Sequence, residues 1–194
     1  MSTLVQDLRR FRSPPGFRGK PAVYVQLWWF AQAVLFGLSP HFMYGWRNWL
    51  LRRFGAKIGR GVRIRSSVRI QYPWKVSIGD WSWVGDETVL YSLERIEIGA
   101  NVSISHRCYL CAGSHDYTRT DFPFVLDPQR TRIVVEDETW LANDVFVAPG
   151  VTIGRGAVVG ARSSVFKSLP GMTVCFGNPA AVKGARVIAD ESAR

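Results

Sequence analysis

The sequence predicts an all-β fold, a parallel β-helix of triangular section, with a helical segment before it and one loop excursion within it. Three observations carry that expectation. Aliphatic residues return at every sixth position over long runs; Gly, Asp or Asn falls between them where a chain must bend; and one stretch, Tyr109 to Phe124 (YLCAGSHDYTRTDFPF), stops the count before it resumes. Six is neither a helical period nor a plain strand alternation, so each unit reads as a short strand and a corner. Stacked units bury one another's apolar side, and at least three are needed for stability.

Residues 1–55 form a basic, aromatic segment read as helical. Its apolar run from Ala22 to Leu38, AVYVQLWWFAQAVLFGL, lies near the lower length limit for a membrane span and is interrupted by Gln26 and Gln32. Arg9, Arg10, Arg12, Arg18 and Lys20 precede it. Three readings stay open, in falling order: helices whose apolar faces cover the end of a larger core, a helix lying in a membrane interface, and a true span. The basic start runs into Pro14-Pro15-Gly16 with no small-residue cleavage site after an apolar core, so it does not read as a signal peptide.

Residues 56–180 carry the repeat. Ile58, Ile64, Ile70 and Val76 keep one count; it restarts two residues late at Ile78 and passes through Val84, Leu90 and Ile96. A second shift of two leads to Ile98, Ile104 and Leu110. The count breaks after His115, and residues 116–132 form the excursion. From Val135 it runs through Leu141, Val147, Ile153, Val159 and Val165 without a slip. At three units per coil this makes roughly six coils, and residues 181–194 are a C-terminal tail.

Composition narrows the partners. An apolar fraction of 47% is ample for a packed core, and a net charge of +10 favours anionic partners: phosphorylated cofactors or substrates, a membrane surface, or nucleic acid. The arginines are spread along the coils with no recognition motif beside them, which argues against nucleic acid. Three cysteines, Cys108, Cys111 and Cys175, are an odd number and suit a reducing, cytoplasmic setting.

The run VTIGRGAVVGARSSVFKSLPG, followed by GNPA (Gly177 to Ala180), resembles the hexapeptide-repeat acyltransferases, whose coils wind left-handed against the usual crossover rule. Within that fold, YPWKVSIGDWSWVGD, ISHRCYLCAGSHDY, the stretch from Trp140 to Pro179, and the N-terminal LWWF and LLRRFGAKIG segments are similar to the colanic acid biosynthesis acetyltransferases and related sugar O-acetyltransferases. The resemblance implies an acetyl-CoA-dependent O-acetyltransferase acting on a hydroxyl of a sugar or saccharide intermediate of surface-glycan assembly. It also implies a homotrimer with active sites between subunits. The basic N-terminal segment suits the inner face of the cytoplasmic membrane, where lipid-linked saccharides are built. Phe122, Pro123 and Phe124 are apolar enough to pack on a neighbouring copy.

Acetylating a hydroxyl needs a base, and a neutral imidazole is available at cellular pH. Of the three histidines, His41 lies in an aromatic stretch and His106 at a corner position, whereas His115 stands where the count ends and a loop begins. The resemblance makes His115 the general base of a direct transfer without acyl-enzyme. Asp116 invites the role of orienting the ring, but adjacent residues on a strand diverge, and a backbone carbonyl serves equally well. His106, Cys108, Cys111 and His115 are all metal-ligand types; their repeat phases differ, which argues against convergence on one ion, so no metal is expected. Cys111 has no activator in sequence that would make it a nucleophile.

For the donor, the resemblance implies Trp140, Asn143, Ala161, Phe166 and Lys167, with the amide near Asn143 facing the oxyanion; the basic partner expected after Gly177–Ala180 falls instead to Lys183 or Arg186. Three departures from the family pattern stand beside this: Ala142 replaces a usual Gly, Phe166 a usual Thr, and Ala181 an often basic residue. Sugar hydroxyls need hydrogen-bond partners and sugar rings suit aromatic faces, so Asp86, Tyr91 and Tyr117 are candidates for the acceptor. Other readings are transfer to serine or of longer acyl chains, and a β-helical binding protein without catalysis.

Overall fold

Short strands stack coil upon coil to form the three faces of a triangular solenoid, as seen in a computed structural model that describes residues 5–189. The first face holds Lys57–Ile58, Val76–Ile78, Ile96–Ile98, Ile133–Val135 and Thr152–Ile153. The second holds Arg63–Ile64, Trp83–Val84, Ser103–Ile104, Trp140–Leu141, Val158–Val159 and Thr173–Gly177; Ala180–Ala185 turns back antiparallel at its end. The third holds Arg69–Ile70, Val89–Tyr91, Tyr109–Cys111, Phe146–Val147 and Ser164–Val165. Every other pairing within the three faces is parallel, and the residues of the six-count, Ile64, Leu90, Leu141 and Val159 among them, are buried along the axis.

Two of the three corners are built alike in coil after coil. The corner after the first face carries a left-handed residue at Trp81, Asn101 and Glu138 (φ 62°, 55° and 61°); the corner after the second carries one at Glu87, Arg107, Asp144 and Arg162 (φ 58° to 60°). Left-handed backbone is costly for residues with a Cβ, and it persists here because the neighbouring coils hold it. At the first corner, a Cβ on Gly79 would lie 2.5 Å from the Gly99 carbonyl carbon, so only glycine lets the coils stack there.

The third corner varies in length. Strand partners lie 18 residues apart from Val134 to Thr152, but 20 apart from Lys57 to Ser77 and from Ser77 to Glu97, and 37 apart from Glu97 to Val134. Both two-residue slips and the excursion therefore fall at one corner. The slips supply Tyr72 and Leu93, which with Val25 make a second apolar cluster outside the axis, and Trp74, which packs on it with Phe17, Tyr91 and Phe124. The residues that spoil the count build the shelf on which the excursion rests.

The opposite problem arises at the first coil, whose strands would otherwise expose backbone groups below. Two helices close this end: α1 (Ala22–Ala31), extended by a π-turn over Gln32–Phe36, and α2 (Tyr44–Arg53). Trp28, Phe36, Leu50, Leu51 and Phe54 enter the axial core. Their polar neighbours meet the open strand edges one by one. Trp28 Nε1–H donates to Ile70 O and Gln32 Oε1 accepts from Ile70 N–H on the third face (2.9 and 2.7 Å). Arg47 Nε–H donates to Ile64 O and Asn48 Nδ2–H to Val62 O on the second (both 2.7 Å), and Arg52 donates to Ile58 O and Gly59 O on the first (3.0 and 2.7 Å). Gln32, which interrupts the apolar run in sequence, is part of this cap.

The cysteines are unpaired; Cys108 and Cys175 lie inside the solenoid and Cys111 is half-buried. Burial pushes the Cys108 thiol up from its ordinary 9.0 to about 11. Between those values the unfolded chain binds fewer protons than the folded one, so this thiol's contribution to stability falls as pH rises through them. Disulfide-reagent titration of native protein at pH 8 is expected to modify Cys111 first, with Cys108 and Cys175 reacting only after denaturation. Three equal rates would contradict the burial of the last two.

Candidate active site

The third coil leaves its path at Ser114–His115, which pairs antiparallel with Phe124–Val125 to form a short arm; residues 116–123 are its tip. A single helical turn, Pro128–Thr131, capped by the Asp127 carboxylate, then leads back to the first face. Apolar side chains seat the arm. Phe124 meets Phe17 face to face at 5.4 Å and Phe11 edge-on at 5.3 Å, and Asp7 N–H donates to Thr120 O at 2.8 Å. The strap that brings Phe11 and Phe17 is itself anchored: Trp74 Nε1–H donates to Arg18 O at 2.6 Å and Lys75 Nζ to Phe17 O at 2.9 Å.

His115 sits half-buried between Phe122, stacked at 4.3 Å, and Phe124, tilted at 4.6 Å. Within the chain these phenylalanines pack on His115 itself. Nδ1 of His115 lies 2.9 Å from Phe122 O. A carbonyl can only accept, so Nδ1 carries the proton and Nε2 is left as the lone-pair nitrogen. Phe122 reaches this position with a left-handed backbone (φ 49°). Asp116 takes no part: its carboxylate accepts from Thr118 N–H at 3.0 Å and from the Thr118 hydroxyl, which hold it below the usual carboxylate range.

Apart from Trp140 and Lys183, the remaining candidates divide between two edges of the third face. On the third-corner edge, near the arm, lie Tyr91, half-buried against the second cluster, and Tyr117, exposed at the arm's tip. Phe166 and Lys167 are exposed at the same edge two coils on. Outward rings run between them as a column, Tyr91 to Tyr109 (6.2 Å), Tyr109 to Phe146 (6.2 Å) and Phe146 to Phe166 (5.8 Å).

On the second-corner edge lie Asp86, Asn143 and Ala161. Asp86 accepts from the Ser67 hydroxyl at 2.8 Å, pairs with Arg65 at 3.3 Å, and its N–H donates to His106 Nδ1 at 3.1 Å. Asn143 stands at the point of its corner while the flanking amides of Ala142 and Asp144 are tied to Val159 O and His106 O. Trp140 lies outward on the second face, its indole N–H donating to the Ser105 hydroxyl at 3.1 Å. Lys183 is on the C-terminal hairpin, its ammonium 5.3 Å from the Phe176 ring centre.

Below Trp140 a groove of about 320 Å³ is lined by Tyr44, Arg63, Arg65, Trp83, Ser105 and His106. Trp83 is half exposed, with the Arg63 guanidinium 5.0 Å from its ring centre. A half-exposed aromatic ring beside hydroxyls and arginines suits a saccharide. The sequence reading passed over Arg63 and Trp83; their outward place beside an inward Ile64 or Val84 was the available signal. Cys108 points into the axis and donates to Ala142 O at 3.1 Å, whereas burial raises the Cys111 thiol and leaves it protonated, unsuited to nucleophilic attack. Among the described residues no three His, Cys, Asp or Glu side chains gather about one point.

No family model matches the chain. A protein of Escherichia coli K12 named as an acetyltransferase of colanic acid biosynthesis, WcaF, is 57% identical over 183 residues, which cover 94% of this chain and 98% of that one. Among solved structures, a hexapeptide-repeat acetyltransferase of Vibrio cholerae superposes with a TM-score of 0.76 at 24% identity, covering 86% of this chain and 92% of that one. A structure of the Vibrio cholerae O1 biovar eltor protein in complex with acetyl-CoA superposes with a TM-score of 0.75 at 22% identity, covering 86% and 88%.

Proposed function

Because the chain belongs to the colanic acid biosynthesis acetyltransferases of the hexapeptide-repeat fold, we propose that it transfers the acetyl group of acetyl-CoA to a hydroxyl of a saccharide or lipid-linked sugar in surface-glycan assembly, with His115 as general base. The observation that carries this reading is the Nδ1 contact to Phe122 O, which presents a basic Nε2 at the edge of the arm. His115 Nε2 takes the hydroxyl proton as that oxygen bonds to the thioester carbon. The amide at Asn143 holds the oxyanion of the tetrahedral species. As the carbon–sulfur bond breaks, the imidazolium returns its proton to the departing sulfur, so ester and free CoA leave and the base is restored. The work takes place in the cytoplasm, at the inner face of the membrane where the acceptor is lipid-linked.

Asn143 and Ala161 lie on the second-corner edge of the third face and Trp140 on the second face, whereas His115 lies past the third-corner edge; this separation supports a site shared between copies. A second copy in a homotrimer brings its arm, with His115, Tyr91 and Tyr117, against the second corner and the Trp83 groove of the first. Phe166 and Lys167 then approach the donor from the arm's side, and Lys183 from the hairpin. The acceptor sits between Asp86 and the partner's tyrosines.

Thiol release from acetyl-CoA across nucleotide sugars and lipid-linked saccharides tests the reaction. Co-expression tests the shared site. His115→Ala and Ala161→Trp chains are each expected to be inactive alone and to regain activity when mixed, because some interfaces then pair an intact histidine with an open donor groove. Failure to recover in mixed oligomers of verified composition would place base and donor in one chain.

A further inference from the structure

Helix α1 is apolar on both sides, and the cap accounts for only one. Val25, Trp28 and Ala31 are buried against the coils, while Val23, Leu27 and Phe30 face out. The outward row continues through Leu38 and Phe42, each 78% exposed. A helix apolar all round belongs in a core or against lipid. Even with its π-turn α1 ends at Phe36, α2 has ten residues, and no described helix is long and apolar enough to cross a bilayer, so any lipid contact lies in the plane of the membrane.

The two helices run antiparallel. Tyr24 and Trp28 meet Phe54 at 5.6 and 5.1 Å near the start of α1, and Trp46 Nε1–H donates to Leu35 O (2.9 Å) at the far end. This sets Leu38 and Phe42 at one end of the hairpin and Lys20, Arg52 and Arg53 at the other. Trp46 and Trp49, stacked at 5.0 Å, lie between, with Trp49 half exposed, a residue type that favours the headgroup level.

Charge decides between lipid and protein as the occupant. Residues 1–55 hold eight Lys or Arg and one Asp, while residues 56–194 hold seventeen basic and fourteen acidic side chains. A second copy would bring the same positive charge to the contact; an anionic bilayer brings the opposite charge. We infer that the outward face of the α1–α2 hairpin docks the protein onto an anionic membrane surface, with Phe30, Leu38 and Phe42 entering the interface and the basic end meeting headgroup phosphates. Tyr44 belongs to this hairpin and also lines the Trp83 groove, so docking holds that groove close to the lipid surface.

Deleting residues 1–50 would remove Trp28, Phe36, Arg47 and Leu50 from the core, so the test uses surface substitutions in the full chain. Wild-type protein is expected to float with phosphatidylcholine vesicles containing about a third phosphatidylglycerol, to float poorly with phosphatidylcholine alone, and to be released by salt. Phe30→Gln/Leu38→Gln/Phe42→Gln lowers partitioning about tenfold or more, with an unchanged thermal midpoint and unchanged turnover of a water-soluble acceptor. Lys20→Gln/Arg53→Gln weakens only the anionic-vesicle binding. If the triple variant fails to fold, Val23→Gln/Leu27→Gln gives the same readout. Wild type that does not float, a folded variant that floats as well as wild type, or a variant whose lipid-free sedimentation shows a smaller oligomer would each overturn the inference; the last would make the face a contact between copies. Turnover of soluble acceptors reads the catalytic proposal separately.

Discussion

Replacing His115 with alanine lowers CoA thiol release by about 10²–10⁴-fold, the range that a positioned general base contributes, and leaves the coils intact. The loss falls on turnover rather than on donor affinity, because the proposed transfer sets Nε2 against the hydroxyl and not the CoA arm. His115→Gln is as slow as alanine: an amide can accept a hydrogen bond but does not carry the proton away. The imidazole is packed between Phe122 and Phe124 at the arm, outside the axial core, so the thermal midpoint moves little. Measuring kcat, KM for acetyl-CoA and the midpoint on the same preparation separates these effects. Thiol release that survives in His115→Ala with acceptor present would remove the proposed base.

The largest expected loss of stability is at Arg47. Its side chain is fully buried in the cap. The guanidinium donates to Ile64 O and His41 O at 2.7 Å, to Pro40 O at 2.8 Å and to the Ser39 hydroxyl at 2.9 Å, with the Tyr44 ring centre 4.9 Å away. Methionine at this position keeps much of the volume and removes every donor. Burying a charge costs free energy, which the substitution recovers, but three carbonyls lose their partners at about 1–3 kcal/mol each. The expected balance is a destabilisation of about 2–5 kcal/mol, read as a lower urea midpoint. Lys at the same position recovers part of it, since one ammonium cannot reach three carbonyls in a fork. A change under about 0.5 kcal/mol, the size of a neutral surface substitution, would mean that water replaces the arginine and that the cap does not depend on it.

The axial core was legible in sequence because one aliphatic position in six points inward, and Ile58, Leu90 and Val159 follow that rule whatever their corners do. The two-residue slips were legible as slips. Their common corner was not, since the side chains they add, Tyr72, Trp74 and Leu93, reveal a purpose only against Phe17 and Phe124, far off in sequence. The polar cap was hidden for a similar reason: Gln32 looks like a flaw in an apolar run until the free edge of the first coil is beside it. His115 stood out at the break in the count. Its partner did not, because the group that holds Nδ1 is a backbone carbonyl, which every residue has. The division of donor and acceptor candidates between two edges also escaped a linear reading, which orders residues along the chain and not around a triangle.

The unequal corners have a further consequence. Two edges of the solenoid carry left-handed residues in stacked columns, so an added residue there would shift every strand above it out of register. The remaining edge already contains steps of 18, 20 and 37 residues without losing the parallel pairing of Val134 with Glu97 or with Thr152. Length along that seam is uncoupled from the lattice of the faces. New loops can be acquired, lengthened or exchanged there while the scaffold stays the same, at the one margin where the coils place no demand on chain length.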